Sequence, residues 1–337
     1  MDCNNITLRN DVGEGRYSHL EATIHLAELM QQQTQMAERP FTANFSIFPL
    51  LAVLIWTGNT LVSKMASAVI EPAAITFYRW LLAGLILTPF LLRTVWRQRA
   101  IVAAHWPKLA FLGFLGMGMY QGLAYEAAKS TSATNMGVVV ALMPLLSAML
   151  ASFFAGEALT ASRLGGAGLS LVGLLILSTH GHPGELLHGA AHFGDALMLI
   201  AVASNALYGV LLKRWAVPLS TWQQLYVQVG FGVLLLLPFW WLAPSSPITV
   251  HNVPLILYAG IPASIAAPFC WMSGIKRLGP ARASLFMNLL PIFVALAAST
   301  LLGEQLHAYH AVGGFLALAG VWCGQRQRTV KGLSGQL

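Results

Sequence analysis

Charge is what this chain has least of. Only 9% of its 337 residues are Asp, Glu, Lys or Arg, against roughly 25% in a soluble domain. Six of the twelve acidic residues lie in the first 40 positions, so the remainder is poorer still. At 56% hydrophobic content, such a chain falls in the membrane class before any motif is read. Cysteine is also scarce. Cys3, Cys270 and Cys323 show neither paired spacing nor a metal-ligand pattern, which excludes a disulfide framework. Cys270 and Cys323 sit in apolar runs and read as small buried hydrophobes. The net charge of +7 raises the question of nucleic acid. Its Lys and Arg fall between apolar runs rather than in one patch, which excludes that partner. No cleavable signal segment precedes the first apolar run near Phe45. No cofactor or metal is expected.

What is present is a series of ten apolar segments, at 45–63, 74–92, 107–127, 133–154, 162–178, 193–212, 222–242, 253–274, 281–302 and 310–325. Most approach the roughly 20 residues that a helix needs to cross a bilayer. Gly and Pro interrupt several of them, as is common in transmembrane helices. The fifth and tenth are short and rich in small residues: Gly165, Gly166, Gly168 and Gly173 in one, Gly313, Gly314 and Gly320 in the other. Small residues let helices approach closely in lipid. These two segments are expected to be packing elements, at a homodimer face.

The chain repeats itself. Lys129–Gly173 superimposes without a gap on Lys276–Gly320 at an offset of 147, with 14 identities in 45 positions. The ordered matches are Lys129 with Lys276, Pro144 with Pro291, Gly156-Glu157 with Gly303-Glu304, and Gly173 with Gly320. Upstream the offset becomes 149, pairing Lys64 with Lys213 and Pro89 with Pro238. Internal duplication of this kind governs the whole architecture. The domains follow: a polar cytoplasmic tail at 1–44, one repeat at 45–178, a His-rich external loop at 179–192, a second repeat at 193–326 and a basic cytoplasmic tail at 327–337.

With the N-terminus inside, the inner loops and C-terminal tail hold Arg93, Arg97, Arg99, Lys108, Arg163, Lys213, Arg214, Lys276, Arg277, Arg282, Arg326, Arg328 and Lys331. The outer loops hold Lys64 and Lys129 alone. The bias places both termini in the cytoplasm. Five helices per repeat is an odd number, so the second copy crosses in the opposite sense. The predicted fold is therefore all-α integral membrane, with ten transmembrane helices as two inverted-topology five-helix repeats. In such folds the substrate site lies near the midplane between the halves.

At these residues the sequence resembles the EamA family of the drug/metabolite transporter superfamily. Trp56, Lys64, Pro72 and Arg79 match that family's opening pattern. Pro144, Gly156-Glu157 and Gly173 match its close, and Pro291, Gly303-Glu304, Gly313 and Gly320 match again in the second half. There the opening is degraded: Asn205 stands in place of Trp56, and Gln228 in place of Arg79. The resemblance implies a secondary transporter of the inner (plasma) membrane, exporting a small metabolite such as an amino acid or related organic solute. Broad drug efflux is the alternative within the family.

Candidate residues follow. Glu126, near the end of the third segment, either takes a proton or a cationic substrate, or pairs with Lys129 one turn away. Arg79 either snorkels to headgroups or binds an anionic group; the family pattern holds an arginine here whatever the substrate, which favours a structural role. Trp56, Asn59, Tyr120, Gln121, Tyr125, Asn135, Asn205, Tyr208, Trp271 and Asn288 supply aromatic and amide groups for a cavity or for gluing helices together. Pro144 and Pro291 offer a hinge or a fixed kink. Gly156-Glu157 and Gly303-Glu304 suit a helix end followed by a capping carboxylate. His180, His182, His188 and His192 raise a reading of another class, a membrane-bound enzyme or metal-binding protein, although no Cys accompanies them. Cysteines placed at Ser130 and at Gly279 are expected to be labelled by an impermeant maleimide from opposite sides of the membrane. Labelling from one common side refutes the inverted arrangement.

Overall fold

The computed structural model describes residues 47–155, 161–182, 193–278 and 286–325. Both tails, Gly156-Glu157 and the loop positions His188 and His192 lie outside the described residues. Every described regular element is helical. In chain order they are α1 (Ile47–Ala66), α2 (Pro72–Arg97), α3 (Arg99–Gly113) continued by a π-helical turn (Phe114–Met119) into α4 (Tyr120–Ala127), α5 (Ala133–Ala141), α6 (Met143–Ala155) and α7 (Ala161–Ser178). There follow α8 (Phe193–Trp215), α9 (Thr221–Leu242), α10 (Val253–Gly260) continued by a second π turn (Pro262–Ala266) into α11 (Ala267–Leu278), α12 (Leu290–Leu301) entered through a 3-10 turn (Phe286–Leu289), and α13 (Ala308–Gln325).

Among the described residues, seven helices are long and apolar enough to cross a membrane; Leu164–Leu177, Phe286–Leu301 and Ala308–Cys323 are shorter apolar helices. Each expected segment holds an apolar helix, and seven of the ten reach crossing length. α2 runs to Arg97 rather than to 92, and the third helix starts at Arg99 rather than at 107. Ile101 and Val102 explain this. They pack against the cluster of Leu109, Val217, Leu219 and Val227, so tertiary contact extends a helix that a hydropathy run cuts short.

The duplication is visible in the packing. α4 lies against α8, and its counterpart α11 lies against α1; α6 meets α8 as α12 meets α1. The two π turns fall at equivalent places, since 115 + 147 = 262 and 119 + 147 = 266. The core gathers on α5, which is buried at every position from Ala133 to Ala141. Around it pack Leu290, Val294 and Ala298 from α12, Met198 and Val202 from α8, and Ala317 and Val321 from α13. Outward faces carry exposed Phe90, Phe153, Leu234 and Phe315, with Trp96, Trp241 and Trp322 exposed near helix ends, as in the aromatic belts of membrane proteins.

α7 and α13 touch along their backbones. A Cβ built on Gly173 would lie 2.5 Å from Gly313 O and from Ala317 N, and one on Gly320 would lie 2.5 Å from Gly166 O. These contacts are reciprocal, because 166 and 313, like 173 and 320, are repeat equivalents. Ser170 Oγ donates to Ala317 O at 3.0 Å, and Ser170 and Ala317 are themselves equivalents, 147 apart. A residue that touches its own equivalent lies on the pseudo-two-fold axis. The small-residue faces expected at a homodimer interface are thus turned toward each other within one chain.

Gly173→Val is expected to cost about 1–3 kcal/mol by overpacking, read as a lower melting temperature in detergent. Gly165→Ala, with nothing within 4 Å of its Cβ, is expected to leave stability unchanged or slightly raised. Equal losses at both positions would refute the close packing.

Candidate functional site

Arg79 stands seven residues into α2, about 10 Å along the helix, and is 1% exposed. It does not snorkel. Its Nη1 donates to Gln121 Oε1 at 2.7 Å and to Tyr125 OH at 3.0 Å. Its Nε and Nη2 both donate to Ser264 Oγ, at 3.2 and 2.8 Å. The guanidinium also lies 5.2 Å from the Trp80 ring centroid and 5.8 Å from that of Tyr125, within the cation–π range. All its acceptors are neutral, and no carboxylate among the described residues pairs with it. A guanidinium has five N–H donors, and four contacts leave one over. A buried cation without a counter-charge is costly unless fully bonded, and the fifth N–H can take one more acceptor.

The repeat supplies the cradle. Met117 and Ser264 are equivalents and lie in the two π turns, which frequently mark functional sites. Met117 O accepts from Trp80 Nε1 at 3.0 Å; Ser264 takes Arg79 and itself donates to Ala259 O at 2.8 Å. One arginine is therefore held by α4 of its own repeat and by the second repeat together. Its equivalent Gln228 is wholly buried and accepts from Tyr208 OH at 2.9 Å, while its Nε2 has no partner among the described residues.

A second polar group joins the repeats beside the C-terminal end of α1. Residues 128–135 form a clasp. Lys64 Nζ donates to Ala128 O at 2.9 Å and to Thr131 O at 2.6 Å. Glu304 accepts from Ala133 N at 2.7 Å, Thr134 N at 3.2 Å and Thr134 Oγ1 at 2.8 Å. Asp195 accepts from Thr131 Oγ1 and, at 3.4 Å, from Asn135 Nδ2. Glu304 therefore caps a helix, as expected of its motif, but the helix is α5 of the other repeat rather than α13. Gly303 takes the left-handed conformation, φ +68°, and this turn aims the carboxylate across the interface.

The remaining candidates separate. Glu126 lies one residue from the end of α4, half exposed, in a 3.2 Å ion pair with Lys129, which also meets Glu71 at 3.3 Å. Desolvation lowers the Lys129 pKa, but the hydrogen bonds and charges of Glu126 and Glu71 outweigh it and the pKa is raised. Glu126 thus belongs to a rim ion pair and not to a cavity. Trp56 and Trp271 pack at 5.6 Å; Trp56 and Tyr120 cover the central core. Asn205 Nδ2 contacts Met143 Sδ at 3.4 Å. Asn59 Oδ1 is buried without a partner among the described residues, and Asn288 is half-buried on the turn before α12. Pro144 and Pro291 each take the second position of a helical segment, after breaks at Leu142 and Leu289, where a missing N–H costs little.

Among the described histidines, His182 Nδ1 contacts His180 O and His307 stacks on Tyr309. No group of three or more His, Cys, Asp or Glu that could hold a metal occurs among the described residues. Asp195 and Ser264 were not flagged by sequence reading. Asp195 had a signal, being an acid inside the sixth apolar segment; Ser264 had none beyond its equivalence to Met117.

A helical, duplicated chain with apolar outer faces and polar groups buried where the repeats meet is a multi-pass membrane protein of the transporter class. The EamA-like transporter family pattern matches residues 45–179 and 192–323. The chain belongs to that family. It is similar to the uncharacterized transporter YyaM of Bacillus subtilis (strain 168), 27% identical over 81% of this chain and 90% of that one. It is similar to protein PecM of Dickeya dadantii (strain 3937), 26% identical over 79% and 87%. A probable terminal-alkyne amino-acid exporter of Streptantibioticus cattleyicolor is 24% identical over 64% and 71%. One solved crystal structure, 22% identical, superposes with a TM-score of 0.55 over 84% of this chain and 97% of that chain, a likeness of fold.

Glu304→Ala removes three hydrogen bonds and is expected to cost about 1–3 kcal/mol, read in thermal unfolding, with Glu304→Gln costing clearly less. If the two variants unfold alike, the carboxylate is not holding α5.

Proposed function

We propose that this chain is a secondary transporter, not an enzyme, that exports a small metabolite by alternating access. The substrate class is an amino acid or related organic solute. On this reading ten helices cross the inner (plasma) membrane as two inverted five-helix repeats, with both termini cytoplasmic and the clasp on the external side. The observation that carries the substrate class is Arg79. A buried guanidinium with one N–H to spare, flanked by Tyr125 and Trp80 and held by both repeats, suits a carboxylate attached to an apolar or aromatic body. Similarity to an amino-acid exporter supports the same class. The symmetry supports the mechanism, since equivalent contacts can form at either end of the molecule in turn. A homodimer, on this reading, uses the outward faces of α7 and α13 around Leu171, Val172 and Phe315, because their glycine faces meet inside the chain.

The test is growth inhibition of cells with and without the protein across toxic amino-acid analogues, nucleosides and cationic dyes. Protection against the amino-acid analogues, lost in Arg79→Gln and not restored by Arg79→Lys, is the expected result. Protection against cationic dyes that survives Arg79→Gln overturns the substrate class in favour of broad efflux. Loss of protection when the four histidines at 180, 182, 188 and 192 are changed to Ala favours the enzyme or metal reading.

A further inference from the structure

We propose that Asp195 is the residue that takes up and releases a proton during the transport cycle. The inference rests on the transporter reading, and its test below does not need a substrate. Asp195 lies in the first turn of α8 and is 3% exposed. Its contacts among the described residues are neutral: the Thr131 hydroxyl and the Asn135 amide, whose Nδ2 reaches both carboxylate oxygens at 3.4 Å. The charged groups around the clasp are engaged elsewhere. Lys64 is bonded to the carbonyls of Ala128 and Thr131. Glu304 is bonded to Ala133 and Thr134. Lys129 is held on the rim by Glu71 and Glu126. His192, three residues upstream, lies outside the described residues.

A buried carboxylate with no cation among its described contacts carries a desolvation cost while it is charged. The helix N-terminus and two neutral donors offset part of that cost. A second observation shows what the site does with the alternative state. Asn135 is 4% exposed, and its Oδ1 is buried with no partner among the described residues. With Asp195 ionised, Asn135 turns its Nδ2 toward the carboxylate and strands Oδ1. With Asp195 protonated, the amide turns over and Oδ1 accepts the acid proton, while Nδ2 takes the unpartnered place. Thr131 serves either state, because a hydroxyl both donates and accepts. The carboxyl thus finds a donor when ionised and an acceptor when protonated, as a proton carrier requires.

The position gives the proton leverage. Asp195 belongs to the second repeat; Thr131 and Asn135 belong to the first. Protonation removes the charge that Thr131 and the Asn135 Nδ2 stabilise, and so changes the bond that closes the clasp. The proton comes from water, forms the O–H bond on Asp195, and returns to water when the repeats exchange packings. Such coupling works only if protonation has a different free energy in the two packings, and a bond across the moving interface satisfies that condition.

The test is an infrared pH titration of the purified chain in lipid nanodiscs. A carboxylic-acid C=O band is expected to grow as pH falls, to be absent in Asp195→Asn, and to be shifted in Asp195→Glu. In parallel, Ala133→Cys, in a background with Cys3, Cys270 and Cys323 replaced by Ala, reports the clasp. Its labelling by an impermeant maleimide is expected to vary with pH several-fold more in the wild-type background than in Asp195→Asn. Thiol chemistry alone would give both the same profile. Identical bands in wild type and Asp195→Asn, identical labelling profiles, or a response to sodium in place of pH each overturn the proposal. Should Asp195→Asn fail to fold by gel filtration, an unshifted band in Asp195→Glu overturns it. A chain that passes these tests yet protects against no solute refutes the transport reading alone.

Discussion

Close backbone contact between α7 and α13 is the constraint on which the rest of this molecule depends. In lipid no hydrophobic force drives helices together, because the acyl chains are as apolar as the side chains. Glycine at 166, 173, 313 and 320 removes the obstacle to approach, and Ser170 adds a hydrogen bond to its own repeat equivalent. That contact sits on the pseudo-two-fold axis. On either side of it the neighbours of α1 and α8 come out alike.

The two copies have diverged where polar groups are buried. Arg79 became Gln228 at the equivalent position, and Ser264 stands where Met117 does. A symmetric pair of buried cations would repel and would double the desolvation cost. One arginine, held by both repeats, offers a single charged anchor at their junction. The same division appears at the clasp, where Glu304 and Asp195 of the second repeat hold residues 131–135 of the first. Polar bonds between the repeats, rather than apolar packing alone, are thus concentrated at places that a change of packing would have to break.

Much of this was legible in the chain. The helix positions were, because runs of apolar residues near the bilayer thickness leave few other structures. The glycine faces were legible as packing faces, but spacing along a helix does not say which helix it meets. Glu126 is an acid in an apolar segment, open in the sequence to a cavity role or to pairing with Lys129; α4 ends one residue later, and the pair with Lys129 forms at the rim. Asp195 is also an acid in an apolar segment, and there the burial is real.

Composition, hydropathy and a register of 147 residues determined by themselves that this is a duplicated helical membrane chain, because those properties are local or periodic and can be counted along one dimension. Which acid is buried, which helix Glu304 caps and what surrounds Arg79 were decided only by tertiary structure. Each of those depends on groups that are 42 to 185 residues apart in the chain, and a polar side chain takes its energy from the partner it meets, not from its neighbours in sequence.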